Sequence, residues 1–293
     1  MTAARRRAGR ETLVAWLFLI PALLAFAYFK FLPMFAGIQL SFYKVNFGGQ
    51  NVWVGWDNFR TVVNDPDFRA ALGHTVINGV SVATLSAVIA LLVALALQGS
   101  RRSVFFVRSA IFLPAITSVA IVAEIFKLLY YPSATGPLNI VLGWFGVPAQ
   151  PFFSSPDTAL GSLIGMQVWK AVPYDAAIFI AGLATISKDL YEAAAIDGAN
   201  RWQRFLNITV PGLAPTFTII LTLAIIRGFR VFTEVYATTG GGPAGSTDVV
   251  MTRIYKLGFE TFDYGLASAA STLMFIVTAV LTAVYLTWSR RKA

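Results

Sequence analysis

The stretch Glu192–Pro211 reads EAAAIDGANRWQRFLNITVP and lies between two apolar segments that are long enough to cross a membrane. Within it, Trp202, Phe205 and Leu206 fall on one face of a short helix, while the charged and amide residues point elsewhere. A loop that only joined two spans would not need this apolar face. Because an amphipathic helix with no core of its own usually docks onto another surface, the stretch predicts a partner outside the bilayer.

Long apolar segments dominate the rest of the chain. There are six of them: Leu13–Ser41, Val76–Leu97, Val104–Tyr130, Ala159–Ile186, Pro215–Tyr236 and Leu266–Trp288. Each can cross a hydrocarbon core of about 30 Å as a helix, which needs about twenty residues. The sequence therefore predicts an all-α integral membrane protein with six transmembrane helices and both termini on one side. Residues 1–293 are expected to form a single transmembrane domain, with a loop at about residues 187–211.

The distribution of basic residues predicts the orientation of these helices. If both termini are cytoplasmic, the inner segments hold thirteen cations, at positions 5, 6, 7, 10, 101, 102, 108, 188, 201, 204, 290, 291 and 292. The outer loops then hold five, at positions 44, 60, 69, 253 and 256. Lysine and arginine are enriched in cytoplasmic loops of membrane proteins, so this asymmetry predicts cytoplasmic termini and a cytoplasmic 187–211 loop.

Composition excludes several classes of function. The chain is 57% hydrophobic and only 13% charged, against about 25% charged residues in a soluble domain. Its net charge of +9 is explained by the cytoplasmic ends of a membrane protein, and we expect no nucleic-acid partner. The chain has no cysteine and one histidine, His74, with no neighbour at metal-ligand spacing, so no metal site is expected.

The sequence carries no nucleophile–base constellation or nucleotide-binding motif, so we expect no catalytic residue and no cofactor in this chain. The stretch Gly240–Thr247 superficially resembles a phosphate-binding loop, but it lacks the lysine that reaches the phosphates. We interpret it as a turn that ends the fifth span. If the protein moves a solute actively, a separate subunit must supply the energy.

Polar residues inside the apolar segments are candidates for a solute pathway, because exposing them to lipid is costly. Gln167, Lys170 and Tyr174 share one face of the fourth segment, and Arg227 lies at a similar depth in the fifth. These residues, with Trp169 as an aromatic neighbour, either line a polar cavity or form structural pairs. Two other sets are expected to pair along their own helices: Glu124 with Lys127, and Arg230 with Glu234.

The loop also resembles a known family. Glu192-Ala193-Ala194, Asp197-Gly198-Ala199, Phe205 and Pro211 are similar to the EAA loop of bacterial ABC importer permeases. A second block, Thr239-Gly240-Gly241-Gly242-Pro243 with Tyr255 and Phe259, resembles the carbohydrate branch of that family, of maltose type. One departure is Ser187-Lys188, where many relatives have a proline; Ser187 is predicted to cap the helix instead.

This resemblance implies the MetI-like permease fold and a multi-pass location in the cell membrane. It implies a permease subunit that translocates a sugar or related polyol, and that works with a second permease subunit, two ATP-binding subunits that hold ATP and Mg, and an extracytoplasmic solute-binding protein. A glycerophosphate-type anionic solute and a self-sufficient secondary transporter are the alternatives. The residues expected to couple to the ATPase are Glu192, Ala193, Ala194, Asp197, Gly198, Trp202, Phe205 and Pro211.

Overall fold

The structure, a computed structural model, describes residues 2–46, 50–97 and 102–290, with side chains over 14–46, 50–97 and 109–287. Arg101, Arg291 and Lys292, which contribute to the predicted charge asymmetry, lie outside the described residues. Most of the described part is helical, as the apolar segments predict. The chain divides into two compact units, residues 1–63 with 256–273, and residues 64–255 with 274–293.

The described helices and strands follow one another in simple chain order. The first half of the chain contains α1 (Thr2–Phe26), a π-helical turn (Ala27–Phe31), α2 (Leu32–Leu40), β1 (Tyr43–Lys44), β2 (Val52–Trp53), α3 (Asp57–Asn64), α4 (Pro66–Ala96), α5 (Arg102–Ile116), α6 (Val119–Leu129) and α7 (Pro137–Gly143). The second half contains a 3₁₀ turn (Phe152–Ser154), α8 (Pro156–Thr185), α9 (Lys188–Ile196), α10 (Arg201–Arg204), a π-helical turn (Phe205–Thr209), α11 (Val210–Gly212), α12 (Ala214–Phe229), α13 (Thr233–Thr238), α14 (Val250–Tyr255), a π-helical turn (Lys256–Glu260) and α15 (Tyr264–Arg290).

The first unit joins the N-terminal helix to a small hairpin. The strands β1 and β2 are antiparallel, with Tyr43 opposite Trp53. Asn58 of α3 is buried, and its side-chain amide donates hydrogen bonds to the carbonyls of Ser41 (2.9 Å) and Tyr43 (3.0 Å). This amide thereby satisfies backbone groups at the point where α2 turns into β1.

The second unit is a helical core in which α4, α8 and α12 pack closely. Its larger buried cluster includes Ala90 of α4, Phe179 of α8 and Ile220 of α12. Gly79 of α4 meets Gly228 of α12 so closely that a Cβ at Gly228 would lie 3.0 Å from the Gly79 Cα. Small residues at helix crossings let backbones approach, which is how helices gain packing energy where water supplies no driving force.

Several helices are suited to a membrane by length and composition. Three uninterrupted stretches qualify: Val14–Leu40, Pro66–Ala96 and Tyr264–Thr287. Two bent pairs also qualify, Ser109–Ile116 with Val119–Leu129 and Arg201–Gly212 with Ala214–Phe229, at angles of 108° and 61°. The described residues therefore provide three spans, or up to five if each bent pair counts as one.

The prediction of one helix over Val104–Tyr130 is wrong. α5 ends at Ile116, and α6 starts at Val119 after Ser118, whose ψ of 140° is extended. The break follows Pro114, which has no N–H to donate and disrupts the last turns of α5. The physical cause was visible in the sequence, but the size of the bend was not.

The prediction of one helix over Pro215–Tyr236 is also wrong. α12 ends at Phe229, and α13 starts only at Thr233. Between them Phe232 has φ −141° and ψ −61°, outside the helical region. Gly228 lies one residue before the end of α12, but a single glycine does not by itself end a helix, so the interruption could not be predicted from it alone.

Candidate functional site

The 187–211 loop begins with the helix cap that its sequence predicts. The Ser187 hydroxyl accepts a hydrogen bond from the Asp189 backbone N–H at 3.2 Å, and α9 begins at Lys188. An N-cap of this kind satisfies one of the free N–H groups of the first helical turn. The predicted cap is confirmed, and α9 starts without a proline at this position.

A glycine turns the chain between the two short helices of the loop. Gly198 has φ +76°, a conformation that side-chain-bearing residues rarely adopt. The turn is closed by the Gly198 N–H, which donates to the Ala195 carbonyl at 3.2 Å, and by the Ala199 N–H, which donates to the Ala194 carbonyl at 2.9 Å. Apart from its immediate chain neighbours, no atom of the described residues lies within 4 Å of a Cβ built at Gly198, so the backbone angle and not lack of space requires glycine here.

The helix after this turn starts with a capping box that our sequence analysis missed. The Gln203 backbone N–H donates to the Asn200 side chain at 2.9 Å, and the Asn200 backbone N–H donates to the Gln203 side chain at 2.8 Å. The spacing of an amide residue and a glutamine three positions later is a known start signal for a helix. It could have been read from the sequence.

A hydrogen bond inside the loop joins its two helical arms, and part of the loop surface is exposed. The Tyr191 and Thr209 hydroxyls lie 2.9 Å apart, and this hydrogen bond joins α9 to the π-helical turn Phe205–Thr209. Two apolar side chains of the loop are among those most exposed, with an exposed fraction of 87% for Ile196 and 65% for Trp202. The Trp202 ring stacks on Phe205 with centroids 5.4 Å apart, which presents a stiff aromatic surface.

The remaining residues expected to couple to the ATPase also lie on this loop. Glu192, Ala193, Asp197, Gly198 and Pro211 are exposed, and Ala194 and Phe205 are half-buried. The loop thus brings the expected residues onto one short segment. Their contact with an ATPase stays a prediction.

A cavity of about 580 Å³ lies in the second unit, between α4, α8, α12 and the junction of α5 and α6. Four of the five residues predicted for a solute pathway line it: Gln167, Lys170, Tyr174 and Arg227. Trp169 is not among the lining residues; its ring contacts Phe126 with centroids 5.4 Å apart.

Arg227 is held by a buried carboxylate. Its guanidinium donates to Asp175 Oδ1 at 2.7 Å, and Ser86 Oγ donates to Asp175 Oδ2 at 2.8 Å. The Asp175 side chain is fully buried, and the guanidinium lies 5.7 Å from the centre of the Tyr174 ring. Three helices therefore meet at one ion pair, and Arg227 has a structural partner as well as a place on the cavity wall.

Lys170 bonds to the broken helix. Its Nζ donates to the carbonyl of Thr117 at 2.7 Å and to that of Pro114 at 3.4 Å. The Thr117 carbonyl lies just beyond the end of α5, and the Pro114 carbonyl in its last turn also accepts from the Thr117 N–H at 3.3 Å. The ammonium group stabilises the exposed negative end of the helix.

A reciprocal amide pair completes the polar wall. Gln167 Nε2 donates to Asn78 Oδ1 at 3.0 Å, and Asn78 Nδ2 donates to Gln167 Oε1 at 3.2 Å. Sequence analysis missed Asn78 and Ser86, which are polar residues eight positions apart in an apolar helix and so share a face. That spacing was the only sign of them.

Two ion pairs were predicted within single helices, and the structure contains one of them. Lys127 Nζ donates to Glu124 at 2.9 Å, as predicted. Arg230 and Glu234 both line the cavity, but no ion pair joins them in the described part of the chain, so that prediction is wrong. The helix breaks between Phe229 and Thr233, and the regular i,i+4 geometry is lost there.

The glycine-rich stretch Gly240–Thr247 is a turn, but it follows α13 instead of a continuous fifth span. The hydroxyls of Thr239 and Thr247 lie 2.7 Å apart, and the Thr247 hydroxyl also donates to the Gly242 carbonyl at 2.7 Å. His74 Nδ1 lies 3.0 Å from the Asp248 carbonyl, so the single histidine contacts this region of the backbone.

Comparison with known proteins assigns the chain to a family. Residues 86–293 match the family described as binding-protein-dependent transport system inner membrane component. The chain is 32% identical over 279 residues to the probable ABC transporter permease protein YurN of Bacillus subtilis, covering 94% of this chain and 95% of the relative. It is 33% identical over 281 residues to the trehalose/maltose transport system permease protein MalF of Thermococcus litoralis, covering 94% of each.

Two further comparisons agree. The chain is 32% identical over 273 residues to an sn-glycerol-3-phosphate transport system permease protein of Brucella abortus, with 92% of each chain covered. Its fold matches a chain of a bacterial ABC transporter involved in the import of the acidic polysaccharide alginate, with a TM-score of 0.85, 26% identity and coverage of 98% of this chain and 99% of that one. These similarities confirm the all-helical permease fold and the membrane location.

Proposed function

We propose a function from one premise: the chain belongs to the family of binding-protein-dependent transport system inner membrane components. It is the membrane-spanning permease subunit of an ABC importer and catalyses no reaction itself. The solute is a sugar or a related polyol. The observation that carries this assignment is the identity over nearly the whole chain to permeases of that kind, including the trehalose/maltose permease.

We propose that four further components act with this subunit. A second, similar permease subunit completes the transmembrane pathway, and two ATP-binding subunits hold ATP and Mg. An extracytoplasmic binding protein delivers the solute. Support comes from the alginate transporter, whose structure was solved in complex with an alginate pentasaccharide-bound periplasmic protein and has a TM-score of 0.82 to this chain.

The proposed topology has six spans and two cytoplasmic termini, with the whole chain working as one transmembrane domain. Three uninterrupted helices, the bent pair Ser109–Ile116 with Val119–Leu129, and α12 (Ala214–Phe229) of the other bent pair supply five spans, and Arg201–Gly212 belongs to the cytoplasmic loop. The sixth is α8, whose 30 residues are long enough to cross the membrane although it carries Lys170 and Asp175. The excess of basic residues in the segments assigned to the cytoplasm supports this orientation.

We propose that the 187–211 loop couples this subunit to an ATPase. Trp202 and Ile196 offer an apolar surface that is largely exposed in the described part of this chain. Glu192 would meet a basic residue of the ATPase. When the ATP-binding subunits close, they push this loop and thereby move α8 and α12, which flank it in sequence.

The solute pathway is proposed to pass the cavity of about 580 Å³. Because α8 and α12 form two of its walls, movement of the loop changes the shape and the access of the cavity. Amide groups of the Asn78–Gln167 pair and the Tyr174 ring suit a polyhydroxylated solute.

Reconstitution tests this function. The complete transporter in proteoliposomes, with its binding protein, should take up a sugar or polyol only when ATP is supplied on the side of the ATP-binding subunits. A vesicle that contains this chain without those subunits should show no accumulation. Accumulation by the chain alone would instead establish a self-sufficient transporter and contradict the proposal.

A further inference from the structure

We propose that the cavity in the second unit selects a solute that carries a negative charge beside its hydroxyl groups, with Lys170 and Arg230 supplying the attraction. This inference rests on the proposed function, because it names the class of solute that the permease passes. The negative group is a carboxylate, as in an acidic sugar, or a phosphate, as in a phosphorylated polyol.

The charges on the cavity wall are unbalanced. Its charged lining residues are Lys170, Arg227, Arg230 and Glu234, three cations against one anion. Asp175 is buried behind the wall and offsets Arg227, to which it is bonded at 2.7 Å. The remaining two cations face one carboxylate, which leaves an excess of one positive charge.

The charge of Lys170 is not neutralised by its neighbours. Its hydrogen bonds go to the carbonyls of Thr117 and Pro114, which carry no net charge. In the described part of the chain it forms no ion pair. Carbonyl oxygens hold the ammonium group in position, and its net charge continues to act on the cavity.

Arg230 supplies the second unneutralised cation. It is exposed, lies just after the end of α12, and forms no ion pair with Glu234. Its backbone N–H donates to the Arg227 carbonyl at 3.1 Å, which places the two arginines in one turn. The guanidinium group is therefore available for a bidentate contact with a carboxylate or phosphate, the geometry that arginine suits best.

The surrounding wall strengthens the effect of these charges. Most of the lining is apolar, with Val82, Val122, Met166 and Leu223 among it. A cleft with low-dielectric walls and one excess sign of charge concentrates ions of the opposite sign, by ten-fold or more. Charged side chains within membrane proteins normally pair, so an anionic solute would complete a pairing that the chain leaves open.

The test uses the absence of cysteine from this chain. Thr233→Cys places a thiol on the cavity wall, and Ala134→Cys places one on an exposed loop as the control. Each variant, assembled with its partner subunits and purified in detergent, reacts with an anionic or a cationic methanethiosulfonate, and labelling of this chain is read by mass. The anionic-to-cationic rate ratio at Thr233→Cys should exceed that of the control by about ten-fold.

Charge variants in the Thr233→Cys background locate the origin of this ratio. Arg230→Gln and Lys170→Gln should each lower it several-fold, and Glu234→Gln should raise it. Lys127→Gln removes a cation that is paired outside the cavity, so the ratio should not change. Arg230→Gln keeps the test decisive if Lys170→Gln does not assemble, because the Arg230 side chain has no structural hydrogen bond in the described residues.

Protection experiments then identify the anion. If the anion is a carboxylate, glucuronate should slow the labelling of Thr233→Cys more than glucose does. If it is a phosphate, sn-glycerol 3-phosphate should slow this labelling more than glycerol does. The inference would be overturned if the anionic-to-cationic rate ratio at Thr233→Cys did not exceed that at Ala134→Cys. Equal protection by neutral and anionic solutes would also overturn it. Failure of the transport proposal is a separate result, seen as no ATP-driven uptake of any solute, and it leaves the labelling ratio unaffected.

Discussion

Arg227 of α12 donates to Asp175 of α8 across 2.7 Å, and the carboxylate is fully buried while the arginine side chain is 39% exposed. The pair thus has one end inside the helical core and one end at the cavity. This asymmetry means that removing one partner does not have the same consequence as removing the other. A buried charge left alone is costly, whereas an exposed guanidinium retains solvent or solute as a partner.

Arg227→Gln should therefore lower the free energy of unfolding by about 3–5 kcal/mol, because it leaves the buried carboxylate without its cation. Asp175→Asn should lower it by less. The double variant should recover much of this loss, because the uncompensated charge is gone. The measurement is a double-mutant cycle on the unfolding of the purified protein in detergent. Equal losses for both single variants would contradict the asymmetric burial of the pair.

The same variants separate a structural role of Arg227 from a role in the pathway. If the double variant is as stable as the native protein and transports normally, Arg227 is a structural partner only. If its stability recovers while uptake per assembled complex stays low, Arg227 also contacts solute. We expect the second result, since the guanidinium lies on the cavity wall.

Features that depend on neighbouring residues could be predicted from the sequence, whereas contacts between distant residues could not. Ser187 and Gly198 could be predicted because a helix cap and a left-handed turn depend on a few adjacent residues. The Asp175–Arg227 pair could not be predicted, since the two residues are 52 positions apart and their contact depends on the rotation and depth of two helices. Helix periodicity places Gln167 and Lys170 on one face, but it does not specify what that face meets.

The helix breaks illustrate the same limit. Apolar length alone predicts one helix over Val104–Tyr130, and it ignores the combined effect of Pro114 and the extended Ser118. The Thr117 carbonyl at this break accepts a hydrogen bond from Lys170, a residue 53 positions away. The break and its stabilising partner are thus one feature of the tertiary structure, and neither is visible in hydropathy.

A cluster at the start of α4 predicts a pH dependence of stability. Burial of Asp65 raises its pKa, but hydrogen bonds from Arg253 and from the Asp67 backbone outweigh this, so the pKa lies below its ordinary value. The folded state therefore binds the proton more weakly than the unfolded state. The contribution of this group is complete above the unfolded pKa of about 4 and is lost as the pH falls through the lower folded pKa.

Asp65→Asn tests this contribution with the helix cap retained. The Asp65 side chain caps α4 by accepting from the Asp67 N–H at 3.0 Å, and asparagine caps equally well. We expect a loss of about 1 kcal/mol or less at neutral pH, since the pair with Arg253 is partly exposed. The stability of the variant should also fall less between pH 5 and pH 3 than that of the native protein, as measured by denaturant unfolding. An unchanged slope would assign the acid sensitivity to other groups.

The proposed orientation predicts opposite labelling of cysteines at two exposed positions. Lys188→Cys, next to the Ser187 cap, should react with a membrane-impermeant thiol reagent only after cells are permeabilised, because the 187–211 loop is assigned to the cytoplasm. Ala134→Cys, in the loop between α6 and α7, should react in intact cells. The reverse pattern would invert the topology and remove the loop from the reach of a cytoplasmic ATPase.

The turn at Gly198 should matter for coupling beyond its effect on stability. Gly198→Asp forces a side chain into φ +76°, which costs about 1 kcal/mol or more, and Glu192→Lys reverses a charge on exposed helix surface. Both variants should still insert into the membrane, but they should either assemble poorly with the ATP-binding subunits or lose solute-stimulated ATP hydrolysis. Gly146→Asp, at an equally positive φ of +75° in another loop, is the control for backbone strain. Wild-type rates of ATP hydrolysis and uptake in the loop variants would show that the loop does not transmit motion.

The sharpest test of the docking surface compares two tryptophans. Trp202 is 65% exposed and Trp144 is 76% exposed, so neither replacement by alanine opens a cavity in the described part of the chain. Each should change the unfolding free energy by no more than about 0.5 kcal/mol, as for a surface substitution. If the 187–211 loop docks into the ATPase, Trp202→Ala removes an aromatic anchor and should weaken association with the ATP-binding subunits by ten-fold or more, while Trp144→Ala should not. The readout is the affinity of the ATPase for the purified permease pair, measured beside the unfolding curves. Equal effects of the two replacements would mean that Trp202 contributes no specific contact, and the apolar face of this loop would then need another explanation.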